Sequence, residues 1–162
     1  MEDHGSTPLR RLLEGLPDAV IETHAQVGDA TAVVAPAELE AVLQLLREDA
    51  ACDFDMLMDL TAVDYLPRQP RFEVVHHLYS LGHGHRLRVK TRVSESEPEI
   101  ATASGIWASA DWMEREVWDL YGIRFAGHPD LRRLLLYDEF EGHPLRKDYP
   151  KGRRQPLVGP RN

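Results

Sequence analysis

Between residues 52 and 93 three segments with the period of a β-strand follow one another directly, and no other feature restricts the fold as much. In "CDFDMLMDLTAVDYL" the alternation puts Cys52, Phe54, Met56 and Met58 on one face and Asp53, Asp55 and Asp59, with Leu57, on the other. "RFEVVHHLYSL" and "HRLRVKTRV" read as two more strands joined through "GHGH" at 82–85. Helical segments surround them. Leu9, Leu12, Leu13 and Leu16 share one face of a short helix that Pro17 ends. "DAVIETHAQV" and "ATAVVAP" predict a hairpin turning at Gly28-Asp29. Pro36 suits the first turn of a helix whose buried stripe is Leu39, Val42, Leu43, Leu45 and Leu46. A further helix over 109–121 has Asp111 and Glu114 spaced for a capping box, Gly122 just past its end, and Met113, Val117, Leu120 and Tyr121 as core face. Three strands in a row among helices favour an α+β fold over a doubly wound parallel one. The expected architecture is a mixed or antiparallel sheet with helices on one side, followed by an irregular C-terminal extension. Within that extension only "RRLLLYD" suggests a strand. The division falls between a body, 1–121, and a Gly/Pro/Arg-rich segment, 122–162, that packs on the body and on a partner.

The charges follow the same division. The chain carries −8 overall, but 122–162 holds nine Lys/Arg against five Asp/Glu, so the extension is +4 and the body −12. An acidic body with a basic tail disfavours nucleic acid and suits a tail reaching toward a partner surface. Cys52 is the only cysteine, which excludes an internal disulfide and a four-thiolate iron–sulfur cluster held by this chain alone. No apolar run approaches the roughly 20 residues needed to cross a bilayer. The acidic N-terminus does not read as a secretory signal. Cytosolic residence follows, with docking onto a membrane-bound partner left open.

Candidate chemistry is sparse. His76 and His77 are adjacent in a strand and face opposite ways, and His83 and His85 belong to the turn, so the four do not converge on a metal. His128 and His143 each stand between Gly and Pro, as rigid corners rather than ligands lacking a recognisable third partner. Glu114, Glu116 and Asp119 could form an acid/base set, with Glu116 and Asp119 on one helix face. Arg132, Arg133, Arg146 and Lys147 downstream make helix–tail ion pairs the better expectation. Of Trp107, Trp112 and Trp118, one or two suit the core and one an outer contact. No catalytic, cofactor-binding or metal-ligating residue is assigned.

The run "EREVWDLYGIRFAGHPDLRRLLLYDEFEGHPLRKDYP" (114–150) closely resembles the signature of the 30-kDa subunit family of respiratory complex I, the C subunit of the bacterial NADH-quinone oxidoreductase. "MDLTAVDYL" (58–66) resembles a second hallmark of that family, and the two strands after it also match. Many relatives carry Met-Pro before the acidic pair; here Tyr137 stands in place of that proline. The resemblance implies an α+β subunit without a prosthetic group, seated in the peripheral arm on the hydrogenase-like large subunit beside the other iron–sulfur subunits. FMN, Fe–S clusters and quinone would then lie on other chains, and the membrane would be reached only through the complex, at the cytoplasmic face of the bacterial inner membrane. The motif falls on Glu114, Arg115, Glu116, Asp119, Gly122, Gly127, His128, Pro129, Arg132, Arg133, Gly142, His143, Pro144, Leu145, Arg146, Lys147 and Asp148, which it implies are packing and interface residues. Two alternatives stand beside it. One is the corresponding small subunit of a membrane-bound nickel–iron hydrogenase or of a ferredoxin- or deazaflavin (F420)-driven relative. The other is a metal-dependent hydrolase built on His128 and His143.

Overall fold

The computed structural model describes residues 6–155. Helix α1 (Thr7–Gly15) starts on Pro8, whose missing N–H costs nothing in a first turn, and turns Leu9 and Leu12 inward. A 3₁₀ turn leads into β1 (Val20–His24), and β2 (Thr31–Val34) returns antiparallel, the hairpin expected from the sequence. Pro36 opens a 3₁₀ turn that runs straight into α2 (Leu39–Glu48), which buries Leu39, Val42, Leu43 and Leu46.

The strands β3 (Met56–Asp64), β4 (Phe72–Tyr79) and β5 (Arg86–Val93) form an antiparallel meander. β5 then pairs parallel with β2, giving a mixed five-stranded sheet in the order β1-β2-β5-β4-β3. Its inner face, Leu60, Ala62, Phe72, Val74, Leu78, Leu87 and Val89 among others, joins the leucines of α1 and α2 in one core. The outer face is polar, with Lys90 on Glu73 at 2.8 Å and Arg92 on Glu22 at 2.9 Å. Buried Cys52 stays a thiol, its pKa pushed up to about 11 by desolvation. His76 lies in the core itself, where burial pushes its pKa down to about 4.

One face assignment is corrected. Cys52 and Phe54 are buried, but Met56 and Met58 are 41% and 47% exposed while Leu57 and Leu60 point inward. Regular strand structure begins only at Met56, and the register slips between Leu57 and Asp59. A slip of one residue exchanges the faces of everything on one side of it. The alternation read across 52–66 therefore changes phase at the bulge.

Two further strands are too short to announce themselves. β6 (Glu99–Ala101) pairs parallel with β7 (Arg124–Ala126), and α3 (Ala110–Tyr121) forms most of the crossover between them. α3 packs against β3. The expected capping box is not made: Ser109 holds the N-cap position and no side chain caps the helix. The core face holds in part: Val117 is in the core and half-buried Met113 and Tyr121 pack against it, but Leu120 does not, and Glu114, Arg115 and Asp119 are buried as well.

Candidate functional site

Arg115 and Asp119 of α3 are buried because residues 128–149 lie against them as a strap. An α-helix leaves its last four carbonyls without internal partners. Here the strap fills three in sequence. His143 Nδ1 donates to the Asp119 carbonyl at 3.0 Å, the Leu145 N–H to Leu120 at 3.1 Å, and Arg146 Nε to Tyr121 at 2.5 Å. A guanidinium at a helix C-terminus also meets the negative end of the helix dipole. Gly122 makes this close approach possible. Its φ of 75° is left-handed, and a Cβ there would lie 2.5 Å from the His143 ring and 2.8 Å from Arg146 Nη2.

Asp119 is the centre of the attachment. Its Oδ2 accepts three consecutive backbone N–H groups, from Leu134, Leu135 and Leu136 at 3.1, 2.8 and 2.9 Å, and its Oδ1 takes Arg133 Nη1 at 2.6 Å. Burial opposes ionisation of this carboxyl, yet these donors outweigh it and hold it below the usual carboxylate range. The same bonds explain why "RRLLLYD" is not a strand. Three successive amides converge on one oxygen, whereas a strand points alternate amides apart. Arg133 continues to the Phe140 carbonyl at 2.7 Å, and Arg115 reaches back from α3 to the carbonyls of Arg132 and Arg133.

The far end of the strap closes over an arginine that is the largest fully buried side chain in the domain, Arg71. Asp64 receives its Nε and Nη2 at 3.0 and 2.7 Å, Asp148 receives Nη2 and Nη1 at 2.6 and 2.9 Å, and Glu95 takes Nη1 at 2.5 Å. These bonds use all of the roughly five donors a guanidinium carries, so the buried cation lacks nothing. The Lys147 N–H adds a 2.8 Å bond to Asp64. The hydrogen bonds Arg71 donates to Asp148 and then to Asp64 raise it above its ordinary pKa; Asp64, despite desolvation, is held well below its own by Arg71. The Arg71 and Arg146 guanidinium carbons lie 4.9 and 5.1 Å from the Phe72 ring centroid.

At the other end of α3, Glu114 accepts Thr102 Oγ1 at 2.5 Å and the Ala103 N–H at 2.6 Å, pinning the loop before the helix. Desolvation nevertheless raises its pKa. His128 Nε2 approaches the Asp111 carbonyl at 3.2 Å, and its Nδ1 accepts the Asp130 N–H at 3.0 Å. His128 and His143 thus bind carbonyls eight residues apart on α3, about 12 Å along its axis. They share no metal. Among the described residues no three His, Cys, Asp or Glu side chains are grouped to hold one.

The proposed set therefore separates by geometry. Arg115, Asp119, Gly122, Arg133, His143, Arg146 and Asp148 are brought together as internal fastenings. Gly127 and Gly142 supply left-handed turns, with φ of 84° and 92°, and Pro129 and Pro144 follow the two histidines in those corners. Glu116 is exposed and does not share the buried environment of Asp119, contrary to the single face expected. Arg132 reaches only Asp130, Lys147 is exposed, and Leu145 is half exposed. Of the tryptophans, Trp107 is buried, Trp118 half-buried and Trp112 61% exposed. Sequence reasoning missed Arg71, Asp64 and Glu95. The available signal was Asp64 itself, a carboxylate at an inward position of β3 after Leu60 and Ala62, which demands a buried cation.

This arrangement has clear relatives. The family model for "Respiratory-chain NADH dehydrogenase, 30 Kd subunit" matches residues 32–155. The chain is 47% identical over 152 residues to the C subunit of NADH-quinone oxidoreductase from Methylobacterium sp. (strain 4-46), covering 91% of this chain and 70% of that protein. It is 44% identical over 140 residues to the same-named protein of Geotalea uraniireducens (strain Rf4), covering 86% and 84%. Among solved structures, the trypsin-resistant fragment (1-134) of Nqo5 superposes with a TM-score of 0.65 at 34% identity, over 77% of this chain and all of that one. A chain of the membrane-bound sulfane sulfur reductase, an archaeal respiratory membrane complex, gives a TM-score of 0.75 at 26% identity, over 88% and 84%. With β3 to β5, α3, the strap and their fastenings inside the matched region, the chain belongs to the 30-kDa subunit family of respiratory-chain NADH dehydrogenase, complex I.

Proposed function

We propose that the chain is a non-catalytic structural and assembly subunit in the peripheral arm of a proton-translocating NADH:quinone oxidoreductase, and that the strap docks on the hydrogenase-like large subunit near the quinone site. One observation carries this reading. The strap binds Arg133, His143 and Arg146 inward onto the body and leaves two leucines outward: Leu135 is 61% and Leu145 50% exposed, and Trp112 on the helix beneath is 61% exposed. Large exposed apolar side chains on so tightly held a backbone suit a protein interface. On this reading, electrons pass from NADH through FMN and Fe–S centres on other chains, and this chain holds no cofactor. Its donor set agrees, with one thiol, buried and protonated. On the same reading, contact with the cytoplasmic face of the inner membrane runs through the partners; among the described residues no helix is long and apolar enough to cross a membrane.

The test is purification of the tagged complex from membranes with Leu135→Asp and Leu145→Asp combined. The isolated double variant keeps the parent melting temperature, while the large subunit and NADH:quinone activity are lost from the purified material. Parent yield and turnover in that variant refute the docking role. A second reading keeps the subunit but changes the machine, supported by the likeness to the archaeal complex. A purified complex that oxidises hydrogen, reduced ferredoxin or reduced deazaflavin, and not NADH, establishes that reading instead.

A further inference from the structure

Away from the end of the strap that closes on Asp64, a hollow of about 480 Å³ opens at the Met56 end of β3, lined chiefly by Met56, Met58, Leu81, Ile106 and Trp107. The strap closes on Asp64, at the opposite end of the same nine-residue strand, roughly 26 Å away at about 3.3 Å per residue. A second hollow of about 260 Å³ lies alongside, and Met58 is the ridge between the two. Met56, Met58 and Leu81 are 41%, 47% and 63% exposed. Methionine is unbranched and polarisable, and it moulds itself to an incoming side chain.

The charge pattern says what that side chain comes with. The sequence across the ridge is Asp55-Met56-Leu57-Met58-Asp59. Among the described residues neither flanking carboxylate is paired with a cation: Asp55 accepts the Leu81 N–H at 3.0 Å, and Asp59 is exposed. The cations of the two hollows are engaged elsewhere: Arg47 is paired with Asp53 at 3.5 Å, Arg88 with Asp29 at 3.4 Å, and the Arg86 guanidinium lies 5.4 Å from the Tyr79 ring centroid. We propose that this groove is a second protein interface, receiving a segment of another subunit in which an apolar anchor is flanked by Lys or Arg. The anchor enters beside Met58, and the basic residues meet Asp55 and Asp59, which fix register and steer the encounter. An anionic lipid surface is repelled by those carboxylates. A second copy of this chain is a poor occupant. The strap's Arg133 and Arg146 are bound inward, and a strap-to-groove contact joins unlike surfaces, a head-to-tail arrangement that need not close.

The test places the photo-crosslinker p-benzoylphenylalanine at position 58 of the full chain, within the complex purified from membranes, and sequences the crosslinked peptide. The expected product is a peptide of another subunit with an apolar residue next to Lys or Arg. A crosslink to a second copy, to lipid, or to nothing overturns the proposal. Asp59→Lys is the companion variant, since an exposed, unpaired side chain leaves the isolated fold unchanged. It lowers retention of the captured subunit about tenfold; undiminished retention also overturns the proposal. Leu135→Asp with Leu145→Asp leaves the position-58 crosslink intact wherever the complex still forms, so failure of the strap reading and failure of this one are told apart.

Discussion

Replacing Asp119 with alanine removes one buried carboxylate that serves four donors at once, three strap amides and Arg133. A hydrogen bond to a charged group contributes about 1.5–3 kcal/mol, which naively sums to about 6–12 kcal/mol. That sum overshoots, because a lifted strap lets its amides recover water. The loss of one partner from a buried ion pair, about 3–5 kcal/mol, is the better guide to strap opening. The assay is native-state hydrogen exchange. Amides of Leu134, Leu135 and Leu136, and of Leu145 and Lys147 farther along, should exchange roughly 10²- to 4 × 10³-fold faster. Amides of Val74 and Val89 in the central strands should change far less, because the body core holds Asp119 at its margin and not within its apolar cluster. Asp119→Asn is the sharper variant. It keeps an acceptor for the three amides but sets an NH₂ group against Arg133, so its exchange rates fall between parent and alanine. Unchanged exchange at Leu134–Leu136, or acceleration there in step with Val74 and Val89, refutes the idea that one carboxylate holds the strap.

Gly122→Ala combines a left-handed backbone with a Cβ 2.5 Å from the His143 ring, so thermal melting should show a loss of at least about 1–2 kcal/mol. Gly105→Ala, whose Cβ meets nothing within 4 Å, should stay within about 0.5 kcal/mol. Arg71→Met strands Asp64 as a buried, unpaired carboxylate and should cost about 3–5 kcal/mol in urea unfolding. Because Asp64 ionises in the folded chain below its ordinary range, this pair stabilises above about pH 4 and its contribution disappears on acidification toward the folded value. His76 acts through the same linkage at milder pH. Folded, it binds a proton only near pH 4 against an ordinary value of 6.5, so the unfolded chain takes up protons first. Stability should fall by about 3 kcal/mol as pH drops from above 6.5 to below 4, and His76→Leu should remove that part of the slope in urea titrations.

The sheet was legible because its signals are local. Alternation in β4 and β5, the turn at 82–85 and the leucine stripe of α2 each identify an element without reference to anything distant. What failed were readings that depend on a neighbour. The faces of Met56 and Met58 hinge on a bulge against β4, which no period in β3 reveals. Glu114 looked like the second half of a capping box, but a loop residue, Ala103, offers it a buried amide instead. The acidic side of α3 reads as a solvated face until the strap covers it. The tail's basic residues did point to helix–tail ion pairs, and Arg133 with Asp119 is one. Arg146 is different: its partner is a carbonyl, and Lys147 approaches Asp64 through its backbone and not its charge. An apolar pattern locates a core well; it does not locate a buried guanidinium whose carboxylates come from three separate parts of the chain.

The knot at Arg71 also sets an order in time. Asp64 is seven residues from Arg71 and Glu95 twenty-four, so both acids are present as soon as the meander forms. Asp148 is seventy-seven residues away, so its bonds close the longest loop of the three. The body can therefore collapse around an arginine that already has most of its bonds, with the end of α3 still uncapped. Closing the longest loop falls to the final stretch of chain, when its entropic cost is set against a surface already formed to receive it. The strap then registers completion: a chain that stops short of Asp148 folds its sheet but never fastens the face that its partners would meet.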